Sequence, residues 1–595
     1  MCAGCFSQLL LRDEVHQSNG GLGALLARAA AMPTRRSFMA YSVGAAATLA
    51  TLGPRRALAA DGADLILRGG TIRPLAGAPA ASAVAVGGGK ILAVGAEDTL
   101  SGLKTSNTRI VDLGGRTVLP GLIDPHAHTL LSALVFELLD DVGFLRFPSR
   151  EKLAAYLKQK AATTPKGEWI VGSNFDNLLQ GGDWSRAELD AISTDHPIFI
   201  WYTNGHDAAV NSEALRIAGI PDDVGILPGG GHFGRGPDGR LSGLVYEESA
   251  MLKFVPFFFG KITPEIAAKA VTGFAQRAAS VGNTMLHEPG TVRSDWIAPF
   301  AKLSGTLACR TSASVMFDDM KGLEPFRQLG LGPRGATLAD SMFSIYGIKI
   351  IGDGSNQTMT GAQTQPYLNS TSKGTPNFDA AQMKDMVAAI KAFGMPVLIH
   401  CNGDHAIDIA LDAIEAAYAG STAYGVNRIE HSTMARQDQL ERMKRINVEP
   451  SFLMNHVRFY GAAYRDLIFG PERAAFMDPA GACAKLGLPF TLHTDSPCSP
   501  PGALALIATA VTRRCIIDNS IIGPDQAVTL DAAIRAVTLD AARQIGQDQR
   551  IGSLESGKEA DFTILESDPY QVEPDAIADI KVSETWVGGA RKFAA

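Results

Sequence analysis

Leu119-Pro120-Gly121-Leu122-Ile123-Asp124-Pro125-His126-Ala127-His128 is an apolar run that closes on His-x-His. Side chains alternate faces along a strand, so His126 and His128 share one face. Both imidazoles then point the same way at the strand's carboxyl end, where (β/α)8 barrels carry their active sites. Imidazole suits zinc and related metals. Two histidines on one strand are by themselves often surface residues. Their weight comes from further candidate ligands at the ends of later apolar runs.

Eight such runs read as barrel strands: Val118–Ile123, Asn283–Leu286, Thr311–Met316, Ile345–Ile351, Pro396–Ile399, Arg428–Ile429, Asn447–Ser451 and Phe490–Thr494. Helical stretches such as Ala380–Phe393, Ala406–Ala419 and Arg436–Arg445 separate most of them. That alternation predicts a parallel α/β fold, a TIM-like (β/α)8 barrel over residues 118–549. The gap of about 155 residues between the first two runs exceeds any barrel crossover. It predicts a lobe inserted after strand one at about 130–280, with strands of its own at Trp169–Gly172 and Ile198–Trp201 and a Gly229-Gly230-Gly231-His232 stretch. An insertion there is expected over the active-site mouth, where it would set specificity. Short apolar runs from Asp64 to Val118, and again from Asp561 to Gly589, read as strands. Residues 61–117 and 550–595 are expected to pair as one small β-sandwich.

Residues 1–60 read as targeting rather than structure. Thr34-Arg35-Arg36-Ser37-Phe38-Met39 matches a twin-arginine signal. A weakly apolar segment, Ala40–Leu52, and the small-x-small pattern Ala57-Leu58-Ala59 follow it. The apolar segment is too short to be a permanent membrane anchor. Met32 is the expected true start, with residues 1–31 an artefact of start-site assignment. These features predict folded export by the twin-arginine machinery, to the periplasm or out of the cell.

The 595-residue chain is long enough for a large barrel plus a smaller domain, and its 46% hydrophobic content fits a soluble enzyme. Net charge is −7, and no basic stripe is present, which argues against a nucleic-acid partner. Beyond the leader, Cys309, Cys401, Cys483, Cys498 and Cys515 are odd in number and lack CxxC spacing, so no disulfide scaffold is expected. Oligomeric state is left open.

Taken in order, the strands offer His126 and His128 from the first, Lys349 from the fourth, His400 from the fifth, His431 from the sixth, and His493-Thr494-Asp495 from the eighth. Singly, each is as well read as a core, loop or capping residue. Jointly they converge on the barrel top. Neutral imidazoles bind a divalent cation through lone pairs, and Asp495 can both ligate and accept a proton. A buried ammonium on Lys349 is disfavoured by burial and by nearby metal charge. Reaction with CO2 would turn it into an anionic carbamate able to bridge two metals.

The chain resembles the amidohydrolase superfamily, in particular the amidohydrolase family 3 branch that includes N-substituted formamide deformylases. The resemblance rests on the opening decapeptide, Gly347-Ile348-Lys349-Ile350-Ile351-Gly352-Asp353-Gly354-Ser355, Ile399-His400-Cys401-Asn402-Gly403-Asp404, Arg428-Ile429-Glu430-His431 and His493-Thr494-Asp495-Ser496-Pro497, and it covers nearly everything after the leader. It implies that His126, His128 and Asp495 hold one metal and His400 and His431 another, with carbamylated Lys349 between them; single-metal variants exist. It implies hydrolysis by metal-activated hydroxide, with Asp495 as the catalytic proton carrier. His206 and Glu247 match branch patterns expected to line the substrate site, and His456, after strand seven, is expected at the mouth. His287 is expected to have no ligand role. Asn356-Gln357-Thr358-Met359-Thr360 departs from the Gly-Ser-Arg-Thr form of many relatives, which puts the substrate in question.

The expected function is hydrolysis of a non-peptide, amide-type C–N bond in a small molecule. An esterase or lactonase on the same site is the alternative, and a non-catalytic metal-binding protein the more distant one. Zinc is the expected metal, at one or two per chain, with manganese, iron and nickel also compatible.

Overall fold

Pro120 and Gly121 hand the chain from one sheet to another. A computed structural model describes residues 62–595, apart from 76, 206, 228–230, 260–261 and 329–341. The leader and His206 lie outside the described residues. The run expected as one strand, Val118–Ile123, is two: Thr117–Pro120 belongs to a sheet built from the chain's ends, and Leu122–Asp124 opens the barrel. Between them the Gly121 N–H donates to the Asp561 carbonyl at 3.0 Å. Any Cβ at position 121 would lie 2.1 Å from Thr284 Oγ1, so only glycine fits the crossing.

The barrel strands are β1 (Leu122–Asp124), β2 (Asn283–Pro289), β3 (Arg310–Met316), β4 (Phe343–Ile351), β5 (Val397–Cys401), β6 (Asn427–His431), β7 (Val448–Phe452) and β8 (Thr491–Leu492). They pair in strict chain order, all parallel, from β1 to β8. The open ends approach where the Asp495 N–H donates to the His126 carbonyl at 3.0 Å. Every strand is buried along its length, as parallel strands covered on both faces are. The register sets the site: Lys349 pairs with Met316 and Leu398, Ile351 with His400, and Cys401 with His431. Local chemistry fixes the crossover helices. In Ala380–Phe393, Asp379 caps the amino end and receives Gln382 in return, while Gly394 at φ +83° ends it.

The terminal sheet has eight strands. Ala63–Ile72, Ala81–Gly87, Lys90–Gly95, Lys104–Asp112 and Thr117–Pro120 come from the amino-terminal side. Phe562–Leu565, Val582–Val587 and Ala590–Ala594 come from the other end, and Phe562–Leu565 runs antiparallel to Thr117–Pro120. One face buries Leu67, Val84, Val118, Phe562, Ile564 and Trp586. Arg310, at the start of β3, reaches this sheet through Asp561 at 2.7 Å and Glu559 at 3.1 Å.

Residues 130–274, with 496–498, form a second unit. Its six-stranded sheet includes Ile170–Phe175, Ile198–Tyr202, Asp207–Val210 and Leu241–Tyr246. One core of this unit gathers Val142, Leu153, Ile170, Phe175, Trp184 and Ile200; another gathers Phe199, Trp201, Val245 and Phe254. The five cysteines among the described residues form no disulfide, and no described helix is long and apolar enough to cross a membrane.

Candidate metal centre

His126 and His128 follow β1, and Asp495 follows β8, so the nearly closed barrel brings them together. His126 Nε2 lies 3.2 Å and His128 Nε2 3.3 Å from Asp495 Oδ1. All three side chains are fully buried. His431 and Asp495 adopt φ of +67° and +50°, a left-handed backbone that non-glycine residues hold at an energetic cost and that concentrates at functional sites.

A buried carboxylate stands behind each of the first two imidazoles. Glu430 Oε2 is 2.5 Å from His126 Nδ1 and accepts from Arg428 Nη2 at 2.8 Å. Glu288 Oε1 is 3.1 Å from His128 Nδ1. Carboxylates accept, so each Nδ1 carries the proton and each Nε2 lone pair is turned to Asp495. Two imidazole acceptors then face a carboxylate acceptor, an arrangement that needs a cation. Burial pushes the Asp495 carboxyl up, but the surrounding imidazoles of His126, His128 and His431 outweigh it and hold it well below the usual range. Burial likewise opposes ionised Glu430, and Arg428 and His126 overcome it and hold it well below normal. His128 is pulled down by burial and lifted further by Asp495 and Glu288, to about 9.

His431 Nδ1 lies 3.2 Å from His493 Nε2, and the His493 ring stacks on His126 at 4.6 Å. Burial, with His126 and His431 beside it, holds the His493 imidazole well below its usual pKa. Among the described residues, two groups of side chains place their ligand atoms within 4.8 Å of one another: His126, His128 and Asp495, and His126, His431 and His493. His400 is in neither. Its ring lies 4.6 Å from that of His431, but its Nε2 turns to the Gly354 carbonyl at 3.1 Å and Asp353 Oδ1 at 3.3 Å. Lys349 Nζ is fully buried and has no hydrogen-bond partner among the described residues.

Of the residues expected to meet substrate, His456 is buried, with Nδ1 3.2 Å from Thr433 Oγ1. Glu247 lies in the second unit, exposed, at φ +64°. His287 bonds Ser312 at 2.5 Å and Ser314 at 3.2 Å. Sequence reasoning assigned no role to Glu288, Glu430 or His493. The only signal was position, an acid or histidine at the carboxyl end of an apolar run.

The donor set fits a divalent metal: neutral imidazoles and a carboxylate converge, and a buried lysine nitrogen nearby in the barrel order has no partner. A model of the amidohydrolase family matches residues 109–592. N-substituted formamide deformylase of Arthrobacter pascens is 25% identical over 533 residues, covering 86% of this chain and 95% of that protein. Protein LONG AFTER FAR-RED 3 of Arabidopsis thaliana is 27% identical over 568 residues, covering 92% and 94%. An uncharacterised metal-dependent hydrolase from Pyrococcus horikoshii OT3 shares the fold, with a TM-score of 0.67, 24% identity and coverage of 86% of this chain and 99% of that one. The chain buries a histidine–aspartate cluster that could hold a metal ion, and it belongs to the amidohydrolase family.

Proposed function

We propose that the protein hydrolyses a non-peptide, amide-type C–N bond of a small molecule. The observation that carries this is the convergence of His126 Nε2 and His128 Nε2 on Asp495 Oδ1, at 3.2 and 3.3 Å in a fully buried site. His126, His128 and Asp495 would hold one divalent metal, zinc by donor chemistry, and His431 with His400 a second. When bound, the metal supplies Lewis-acid charge that polarises a carbonyl and activates water. Glu430 and Glu288 keep the two imidazoles in the tautomer that donates a lone pair from Nε2. Asp495 Oδ1 faces both imidazoles, which leaves Oδ2 to take a proton from the attacking water and return it to the leaving nitrogen. Resemblance to a formamide deformylase favours the amide over the ester.

Lys349 is the seat of the proposed carbamate. Its ammonium would give up one proton, the amine would attack CO2 with an N–C bond forming as one C=O π bond opens, and a second proton would leave, so that an anion replaces a cation at a buried position. The substrate contacts carried by His206, Glu247 and His456, the sandwich packing of the terminal sheet, the role of the inserted lobe in specificity, and twin-arginine export form part of the same reading.

The test combines metal analysis with an Asp495→Ala variant. We expect one or two metals per chain and turnover on an amide and formamide panel that falls by about 10²–10⁴-fold with the fold intact. Undiminished turnover in the variant overturns the mechanism. Turnover confined to esters moves the assignment to the esterase reading.

A further inference from the structure

We propose that His493 is a positioning residue that fixes the tautomer of His431 through a buried hydrogen-bond relay, and that it does not itself bind the metal. This rests on the reading of the cluster as a metal centre. The relay starts where polarity is unambiguous. Gln544 Nε2 donates to the Pro450 carbonyl at 3.1 Å and to Glu449 Oε2 at 3.1 Å. Its Oε1 is therefore an acceptor, and Thr491 Oγ1 must spend its only proton there, at 2.8 Å. Thr491 Oγ1 is also placed to donate to Ser451 Oγ at 2.8 Å, but its one proton cannot serve both, and with that proton on Gln544 Oε1 the contact takes the serine proton. Ser451 Oγ has no second proton, so it accepts from His493 Nδ1–H at 2.8 Å.

His493 is fully buried among other imidazoles, where a charged ring is disfavoured. With Nδ1 protonated, its Nε2 is a lone pair, and the 3.2 Å contact with His431 Nδ1 requires that nitrogen to donate. His431 is thereby held as the Nδ1–H tautomer, with its Nε2 lone pair left to coordinate. The result matches what Glu430 does for His126 and Glu288 for His128, but the groups that pass it from Gln544 to His493 are uncharged amide and hydroxyl side chains. Proximity alone groups His493 with His126 and His431 as a metal-binding set. The proton count instead commits its Nε2 to His431.

The experiment titrates Zn2+ into the full-length apoenzyme against a competing chelator. His493→Leu removes the acceptor, and zinc affinity should fall by about 10–100-fold. His493→Gln places an amide oxygen near the position of Nε2, and affinity should stay within about threefold of wild type. Ser451→Ala, which touches no ligand, should weaken binding in the same direction by a smaller factor. Wild-type affinity in His493→Leu overturns the proposal, as does a loss in His493→Gln equal to that in His493→Leu. Should His493→Leu not fold, side-chain 15N–1H correlation spectra of wild-type apoenzyme decide it: His431 as the Nδ1–H tautomer is expected, and the Nε2–H form overturns the relay. A wild-type chain that binds no zinc overturns the hydrolase reading, and the same spectra still judge the relay.

Discussion

Glu430 shows how much one buried oxygen can be asked to do. Its Oε2 takes hydrogen bonds from His126 Nδ1 and from Arg428 Nη2, and Arg428 has no exposure to water. Glu430→Gln removes the charge that orients the histidine and also leaves the guanidinium uncompensated. Stability should fall by about 3–5 kcal/mol in chemical denaturation, because a lone buried charge costs more than its pair ever gained. Zinc affinity should fall by about 10–100-fold in the same variant. Adding Arg428→Met should restore stability but not zinc affinity. Recovery of both together would mean that the carboxylate acts only as a counter-ion. This carboxylate was not assignable from sequence, although Glu430 sits beside His431 in the chain. Its bond goes to His126, 304 residues away, and no spacing rule reaches that far. That His126, His128 and Asp495 come together was legible because strand alternation and barrel order are local or topological facts. The acceptors behind them depend on how whole strands register against each other.

Gly121 marks what periodicity can and cannot say about strands. The apolar run around it was visible, and so were the seven runs that complete the barrel. The break was not, because its cause is Thr284 on the neighbouring strand: a Cβ at 121 would sit 2.1 Å from Thr284 Oγ1 and 2.5 Å from its Cγ2. Gly121→Ala should therefore cost about 1–3 kcal/mol, the usual range for forcing an atom into packed structure. Gly102→Ala, where nothing lies within 4 Å of the new Cβ, should change stability by no more than about 0.5 kcal/mol. Equal melting shifts in the two variants would show that loss of glycine flexibility, rather than the clash, governs the hand-over. β8 is another strand whose length differs from the sequence reading, here by being shorter. Phe490–Thr494 reads as a strand, but only Thr491–Leu492 pairs, and the chain has turned to a left-handed backbone by Asp495.

At the scale of the molecule, the fold depends on both ends of the chain. The terminal sheet takes five strands from before the barrel's first strand and three from after its last, so it cannot form until the barrel chain between them is made. Arg310 couples the two bodies. It begins β3, is almost wholly buried, and meets Asp561 one residue before the returning strand Phe562–Leu565. Asp561 Oδ1 also accepts from the Gly588 N–H at 2.7 Å, which fixes the turn between the last two strands. Arg310→Ala strands this carboxylate without its cation in an apolar setting, and the cost should be about 3–5 kcal/mol. Because the ion pair spans sheet and barrel, the loss should appear as one cooperative transition moved to lower denaturant, detected alike by tryptophan fluorescence, which includes Trp586 in the sheet, and by far-UV dichroism. Zinc affinity of the folded variant should stay within about twofold of wild type, since the ion pairs of Arg310 go to Asp561 and Glu559, which are not among the candidate ligands. Two separate transitions, the sheet melting first while the barrel keeps its zinc, would show that the terminal sheet is an appendage. A single transition would make Arg310 part of what lets a chain with its domain halves so far apart fold as one unit.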